Sequence, residues 1–198
     1  DSLALPAYGE PEDIVIYEQH MRDYSASDFT VPEALRGKYK AFTLDNTDGH
    51  NHLQALSDAG LTHMHLLPSF DIATIDEDEE ARVELDDPVE DLCDANSAAA
   101  ELCPQYNGMT IRELLEMKTE EDPASDFQQQ VVVWLSGLDG YNWGYDPWHY
   151  GVPEGSYATD PDGVARIIEY REMVQGLADK GLRLVIDVVY NHTNEGGQ

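Results

Sequence analysis

Apolar positions along this chain change period repeatedly, and each change marks an element. Asp13-Ile14-Val15-Ile16-Tyr17 is a short β-branched run, bounded by Pro11 before it and by Ser25, Ser27 and Asp28 after it. It predicts a buried strand ending near His20. From Gly49 to Ala59 the period lengthens: Leu53, Ala55, Leu56 and Ala59 recur at near-helical spacing, with Asp48 as candidate N-cap and Gly60 as the stop. Leu61 to Pro68 is again strand-like. A strand, helix, strand order implies parallel pairing through a right-handed crossover.

The pattern then breaks. Asp76 to Asp94 is dense in Asp and Glu without a sustained period, which reads as surface insertion rather than core, and the insertion as a whole runs from about 72 to 140. Within it, Thr110 to Met117 predicts a helix. Phe127 to Leu135 is read as a second, although Val131-Val132-Val133 would equally suit extended chain. Gly and Pro punctuate the segment from Gly137 to Gly155. Val164, Ile167, Ile168, Met173, Val174, Leu177 and Ala178 then fit an amphipathic helix, with Asp160 or Asp162 as its cap and Gly181 beyond its end. Leu184 to Val189 closes the pattern with almost no alternation, as in a strand covered on both faces. The fold class is α/β. Strands one to three with their helices match the opening of a (β/α)8 barrel and equally that of an open doubly wound sheet.

Composition narrows the partners. With 198 residues, 41% of them hydrophobic, the chain has enough material for a packed core. A formal charge of -29 makes nucleic acid and anionic membranes poor partners, because phosphate contacts require Lys and Arg. The excess suits solubility, including in a saline medium. No apolar run is long enough for membrane insertion, and the start of the chain carries no signal peptide. Cys93 and Cys103 sit together in the insertion and are either a local disulfide or two surface thiols.

In either architecture chemistry gathers at the C-terminal ends of the strands. Trp143, Tyr145, Trp148, Tyr150 and Tyr157 crowd a Gly- and Pro-rich stretch with no single period, so they cannot all face a core. Flat rings with polar edges suit the faces and hydroxyl rims of sugars, and at least two of these rings are expected to pin the loop to its own scaffold instead. Asp187 falls within an apolar run and needs a partner, such as an Arg or backbone donors of a neighbouring strand. Asn191 and His192 follow at the strand mouth, where an imidazole can donate to a ligand oxygen. His63 and His65 share a strand face, which raises a metal-dependent hydrolase as an alternative; their early position in the strand points them away from the mouth.

Asp187-Val188-Val189-Tyr190-Asn191-His192 resembles the first conserved region of the α-amylase superfamily, and Tyr141-Asn142-Trp143-Gly144-Tyr145-Asp146-Pro147 is similar to the seven-residue signature of pullulanases, its starch-debranching members. Tyr17 to Ser27, Val31 to Thr43 and His63 to Ala73 resemble the family's first two barrel strands and the loops after them. The resemblance implies a partial (β/α)8 TIM barrel, the N-terminal part of a glycoside hydrolase catalytic domain. It also implies a parent enzyme that cleaves α-1,6 links in pullulan, amylopectin or limit dextrins by a retaining mechanism. By the same resemblance Tyr145 stacks on the glucose at the cleavage point, Asp146 supports that subsite and His192 bonds to the sugar; Trp143, from the aromatic content of the loop, is expected to add a substrate contact. Asp187 and Asn191 support the site. The family's catalytic carboxylates belong to later strands, so no residue here is assigned catalysis and the chain alone is expected to be inactive. No cofactor is required; calcium is an option through Asn191. A secreted or cell-surface parent is expected. A non-catalytic glycan-binding member of the superfamily is the alternative.

Overall fold

The computed structural model describes residues 4–7 and 9–195. In chain order the main elements are β1 (Ile16–Gln19), α1 (Asp48–Asp58), β2 (His63–Leu66), α2 (Val89–Ala95), α3 (Cys103–Tyr106), α4 (Ile111–Glu121), α5 (Phe127–Leu135), α6 (Ala165–Asp179) and β3 (Arg183–Ile186). They divide into two compact units, Asp1–Ala73 with Asn142–Gln198, and Thr74–Tyr141.

The first unit holds one parallel sheet in the order β1-β2-β3. Register places Tyr17, Met64 and Leu184, then Gln19, Leu66 and Ile186, side by side on one face. Met64 and Leu66 are fully buried there, as are Leu53 of α1 and Met173 and Leu177 of α6. Ile16, Glu18, His63, His65, Arg183 and Val185 take the other face. That face is less covered. Ile16 on it is 54% exposed, and Val15 just before the strand is 51% exposed, so the buried strand expected from Asp13 to near His20 instead begins at Ile16 and is half-open. Likewise β3 is half-buried throughout rather than covered on both faces, because among the described residues β2 is its one strand neighbour.

Caps also differ from expectation. The oxygen that caps α1 is that of Thr47, which accepts the His50 amide at 3.1 Å, because Asp48 already lies within the helix. Asp160 accepts the Asp162 amide in a turn of its own, and α6 starts without a side-chain cap. The inward face of α6 is Glu169, Tyr170, Met173, Gly176 and Leu177, while Val164, Ile167 and Ile168 are exposed. Glu169 is buried because it is satisfied: its carboxylate accepts both the amide and the hydroxyl of Thr159. Periodicity alone assigns such a residue to solvent.

Gly176 lets α6 lie against the 3-10 turn Tyr39–Thr43; a Cβ there would stand 2.5 Å from the Phe42 carbonyl oxygen. Buried Lys180 closes the same contact, its Nζ donating to that oxygen at 3.0 Å. Gly176→Ala is expected to destabilise the chain by about 1–3 kcal/mol by overpacking, outweighing the ~1 kcal/mol that Ala gains over Gly in a helix. Urea denaturation decides it; an unchanged or raised midpoint removes the close approach from the account.

The second unit corrects the reading of the insertion as bare surface. Val83, Val89, Leu92, Ala99, Leu102, Ile111, Leu114, Val131 and Leu135 form a hydrophobic core of its own. The acidic residues hide the apolar period because they alternate with inward positions on short helices. The Val131-Val132-Val133 run is helical, with Val131 inward and the other two exposed. Thr110 and Glu113 form a capping box at the start of α4. Cys93 and Cys103 are disulfide-bonded with Cα atoms 6.3 Å apart, which settles the two thiols as a bridge tying α2 to α3.

Candidate functional site

The loop after β2 and the aromatic segment are laced into a strap at the C-terminal end of the sheet. Ile72 bridges Pro147 and Phe70 bridges Pro153 in antiparallel fashion. The Trp148 amide donates to Asp71 and the Ala73 amide to Asp146, at 2.8 and 3.0 Å. Buried Glu154 locks the strap: one carboxylate oxygen accepts the Ile72 amide at 2.6 Å and the other the Ser156 amide at 2.8 Å. The Tyr39 hydroxyl, fully buried, lies 3.1 and 3.0 Å from the carbonyls of Ser69 and Glu154. Burial pushes that phenol well up.

Within the strap a tight turn presents the rings. The Gly144 amide donates to Asn142 Oδ1 at 2.7 Å, and Gly144 takes a φ of +84°, a left-handed conformation that favours glycine. His20, 6% exposed, holds the turn from β1's end through its Nε2, 2.7 Å from the Asn142 carbonyl. A carbonyl only accepts, so this nitrogen carries the proton. The Trp143 and Tyr157 rings each meet His20 edge-on.

Tyr145, Asp187 and His192 then converge. The Tyr145 hydroxyl donates to Asp187 Oδ2 at 2.6 Å, and the Tyr145 carbonyl lies 3.0 Å from His192 Nε2. His192 therefore donates from Nε2 while its Nδ1, 3.0 Å from Asn191 Nδ2, accepts. The Tyr150 hydroxyl donates to the His192 carbonyl at 2.8 Å. Among the predicted residues, Tyr145, Asp187, Asn191 and His192 thus form one connected cluster. Asp146 lies beside it, 3.5 Å from Asn142 Nδ2, whereas Trp143 turns towards His20. Trp143 and Tyr145 are 58% and 44% exposed. Of the five rings, Tyr157 is buried core and Tyr150 is pinned by His192 and by the edge of Tyr190.

The Tyr145 phenol is pushed up to about 12, first by its bond to Asp187, then by burial and by the negative charges of Asp187 and Glu18. A raised folded-state value means that the bond's contribution is complete below the ordinary phenol value of about 10 and is lost as pH rises through the folded value. Asp187→Asn is expected to bring this titration back towards 10. Phenolate absorbance, taken as the difference from Tyr145→Phe, reads it; an unmoved midpoint would detach the shift from Asp187.

Residues 72–141 match the Pullulanase Ins domain. The chain is 46% identical to the pullulanase of Klebsiella aerogenes over 93% of its own length and 17% of that protein's. It is 43% identical to pullulanase 1, chloroplastic, of Arabidopsis thaliana over 100% of its length and 18% of that protein's. The chain is similar to pullulanases along nearly its whole length. A crystal structure of a Klebsiella pneumoniae pullulanase in complex with maltotriose superposes with a TM-score of 0.87 at 45% identity, covering 93% of this chain and 20% of that one. The chain thus spans less than a fifth of the length of the Klebsiella aerogenes and Arabidopsis thaliana enzymes.

Several expectations need correction. Asp187 follows β3 rather than lying inside it, and its side-chain partner is a tyrosine hydroxyl rather than an arginine. His63 and His65 are engaged separately, His63 Nδ1 2.9 Å from the Thr62 hydroxyl and His65 Nδ1 3.4 Å from Glu18, which leaves the two rings serving different neighbours. Three contributors to the strap gave no functional expectation from the sequence: Asn142 as turn-maker, Glu154 as buried lock and Tyr39 as its partner. Only Asn142 left a signal, an Asn two residues before a Gly. Among the described residues no helix is long and apolar enough to cross a membrane.

Proposed function

We propose that this chain builds part of the sugar-binding wall of an α-1,6-glucosidic-bond hydrolase that acts on pullulan, amylopectin or limit dextrins. The observation that carries this reading is the meeting of the half-exposed Tyr145 ring with His192 and Asp187 at the C-terminal end of the sheet. In this reading the three parallel strands open a (β/α)8 barrel, whose chemistry gathers at that end. Tyr145 offers its face to the apolar side of a glucose ring. Asp187 fixes the rotation of that ring, and His192, with one ring nitrogen on the Tyr145 carbonyl and the other on Asn191, fixes its backbone. Asp146 and Trp143 extend the wall.

Retaining hydrolysis requires one carboxylate as nucleophile and a second as acid and base, about 5–5.5 Å apart. Asp187 is committed to Tyr145, and Asp146 faces Asn142. We therefore assign binding to this chain and bond cleavage to carboxylates outside it; the reaction needs no cofactor. The Cys93–Cys103 bridge supports an oxidising compartment, hence a secreted or surface-exposed protein.

Maltotriose, the ligand of the Klebsiella pneumoniae structure, supplies the test. Titrated into this chain, it is expected to shift the ring resonances of Tyr145 and His192 together and saturably. In parallel the chain is expected to release no reducing sugar from pullulan. Still ring resonances would sink the binding assignment, and measurable release of sugar would sink the division of labour.

A further inference from the structure

The second unit carries a cavity of about 450 Å³ that the strap and its chemistry do not use. It is lined by Tyr106, Phe127 and Trp134 together with the small residues Ala98 and Ala99. All of its lining belongs to Thr74–Tyr141. The volume lies in the range of small-ligand sites, and three aromatic walls with a few polar groups are the usual composition of one.

The rim decides what fits. Glu101, Glu121 and Asp122 outnumber Lys118, whose ammonium already pairs with Glu121 at 2.7 Å and sits 5.2 Å above the Tyr106 ring. An anion would meet net negative charge. An organic cation would find the Tyr106 face taken by an ammonium of its own sign. A neutral polyol meets neither objection: every hydroxyl both donates and accepts, and Gln105, Ser125, Lys118 and the carboxylates offer both roles. The walls are also held in place. The Trp134 carbonyl accepts Asn96 Nδ2 at 3.0 Å, and the Ser125 hydroxyl caps the Phe127 amide at 3.1 Å, so the segment bearing two of the rings is fixed at both ends.

We infer that this cavity is a second carbohydrate site, one that takes a short neutral α-glucan segment through stacking on Phe127 and Trp134, the Tyr106 face being covered by Lys118. The choice of an α-glucan rests on the function proposed above; the cavity and its preference for a neutral hydroxylated ring do not.

The experiment uses the whole chain carrying Tyr145→Ala, which removes the ring at the first site, and follows the Trp134 indole N–H by nuclear magnetic resonance. Maltotriose is expected to shift that resonance saturably, choline chloride is expected not to, and Trp134→Leu is expected to weaken the remaining maltotriose binding at least about tenfold. If Trp134→Leu loses its fold by circular dichroism, the indole titration decides alone. A still indole overturns the inference, as does a shift with choline only, or one seen in the parent chain and lost in Tyr145→Ala. If Trp134 responds while Tyr145 and His192 in the parent chain do not, the first site falls and the second stands.

Discussion

Replacing Tyr145 by Ala in a complete pullulanase bearing this chain is expected to lower kcat/KM on pullulan by about a hundredfold, or roughly 2.7 kcal/mol of transition-state stabilisation. The half-exposed ring is tethered at its hydroxyl by Asp187 and at its carbonyl by His192, so it stands already oriented where a sugar face would arrive. Removing it deletes the stacking surface and leaves Asp187 without that donor. Tyr145→Phe keeps the surface and loses only the tether, so a smaller loss is expected from it. Steady-state kinetics on the two variants separate these terms. Equal losses would mean that the hydroxyl bond, not the ring, matters; full activity in the Ala variant would take Tyr145 out of the site.

Gly144→Ala is the second large effect, and it acts on the scaffold beneath that ring. The left-handed backbone at Gly144, φ +84°, costs a residue with a Cβ about 1–2 kcal/mol. The Cβ would also stand 2.4 Å from the Pro68 carbonyl oxygen, and backbone cannot yield as a side chain can. Together these are expected to cost about 2–4 kcal/mol in urea denaturation and to carry Tyr145 away from Asp187. Gly151 is the internal control. Its φ is +74° with nothing within 4 Å of a Cβ, so Gly151→Ala should show the backbone cost alone. Similar losses at both positions would mean that the approach to Pro68 contributes nothing.

The site was legible to the extent that its chemistry was carried by residue type in a short span. Trp143, Tyr145 and Asp146 fall in one loop, and Asp187, Asn191 and His192 follow one strand, so a local pattern could nominate each group. What joins the two groups spans 42 residues in the case of Tyr145 and Asp187, and no local pattern reports a bond of that separation. Glu154 and Glu169 show the same limit from the other side. Both look like solvent residues and both are buried, because backbone or hydroxyl donors from elsewhere in the chain reach their carboxylates. The insertion was misread for a related reason: a core built from short helices under an acidic surface gives no long apolar period to detect.

The sequence by itself determined the order and approximate places of the strands and long helices, since side-chain period and the stops at Gly60 and Gly181 are local properties of the chain. Charge and aromatic content also pointed to the neutral, sugar-like partner proposed above. Tertiary structure alone decided which groups meet: Tyr145 with Asp187 and His192, His20 with Asn142, Gly176 with Phe42, and the aromatic residues that line the cavity of the second unit. The physical reason is that burial and hydrogen bonding reward any donor, acceptor or surface brought within reach, whatever its distance along the chain, and only the folded path sets that reach.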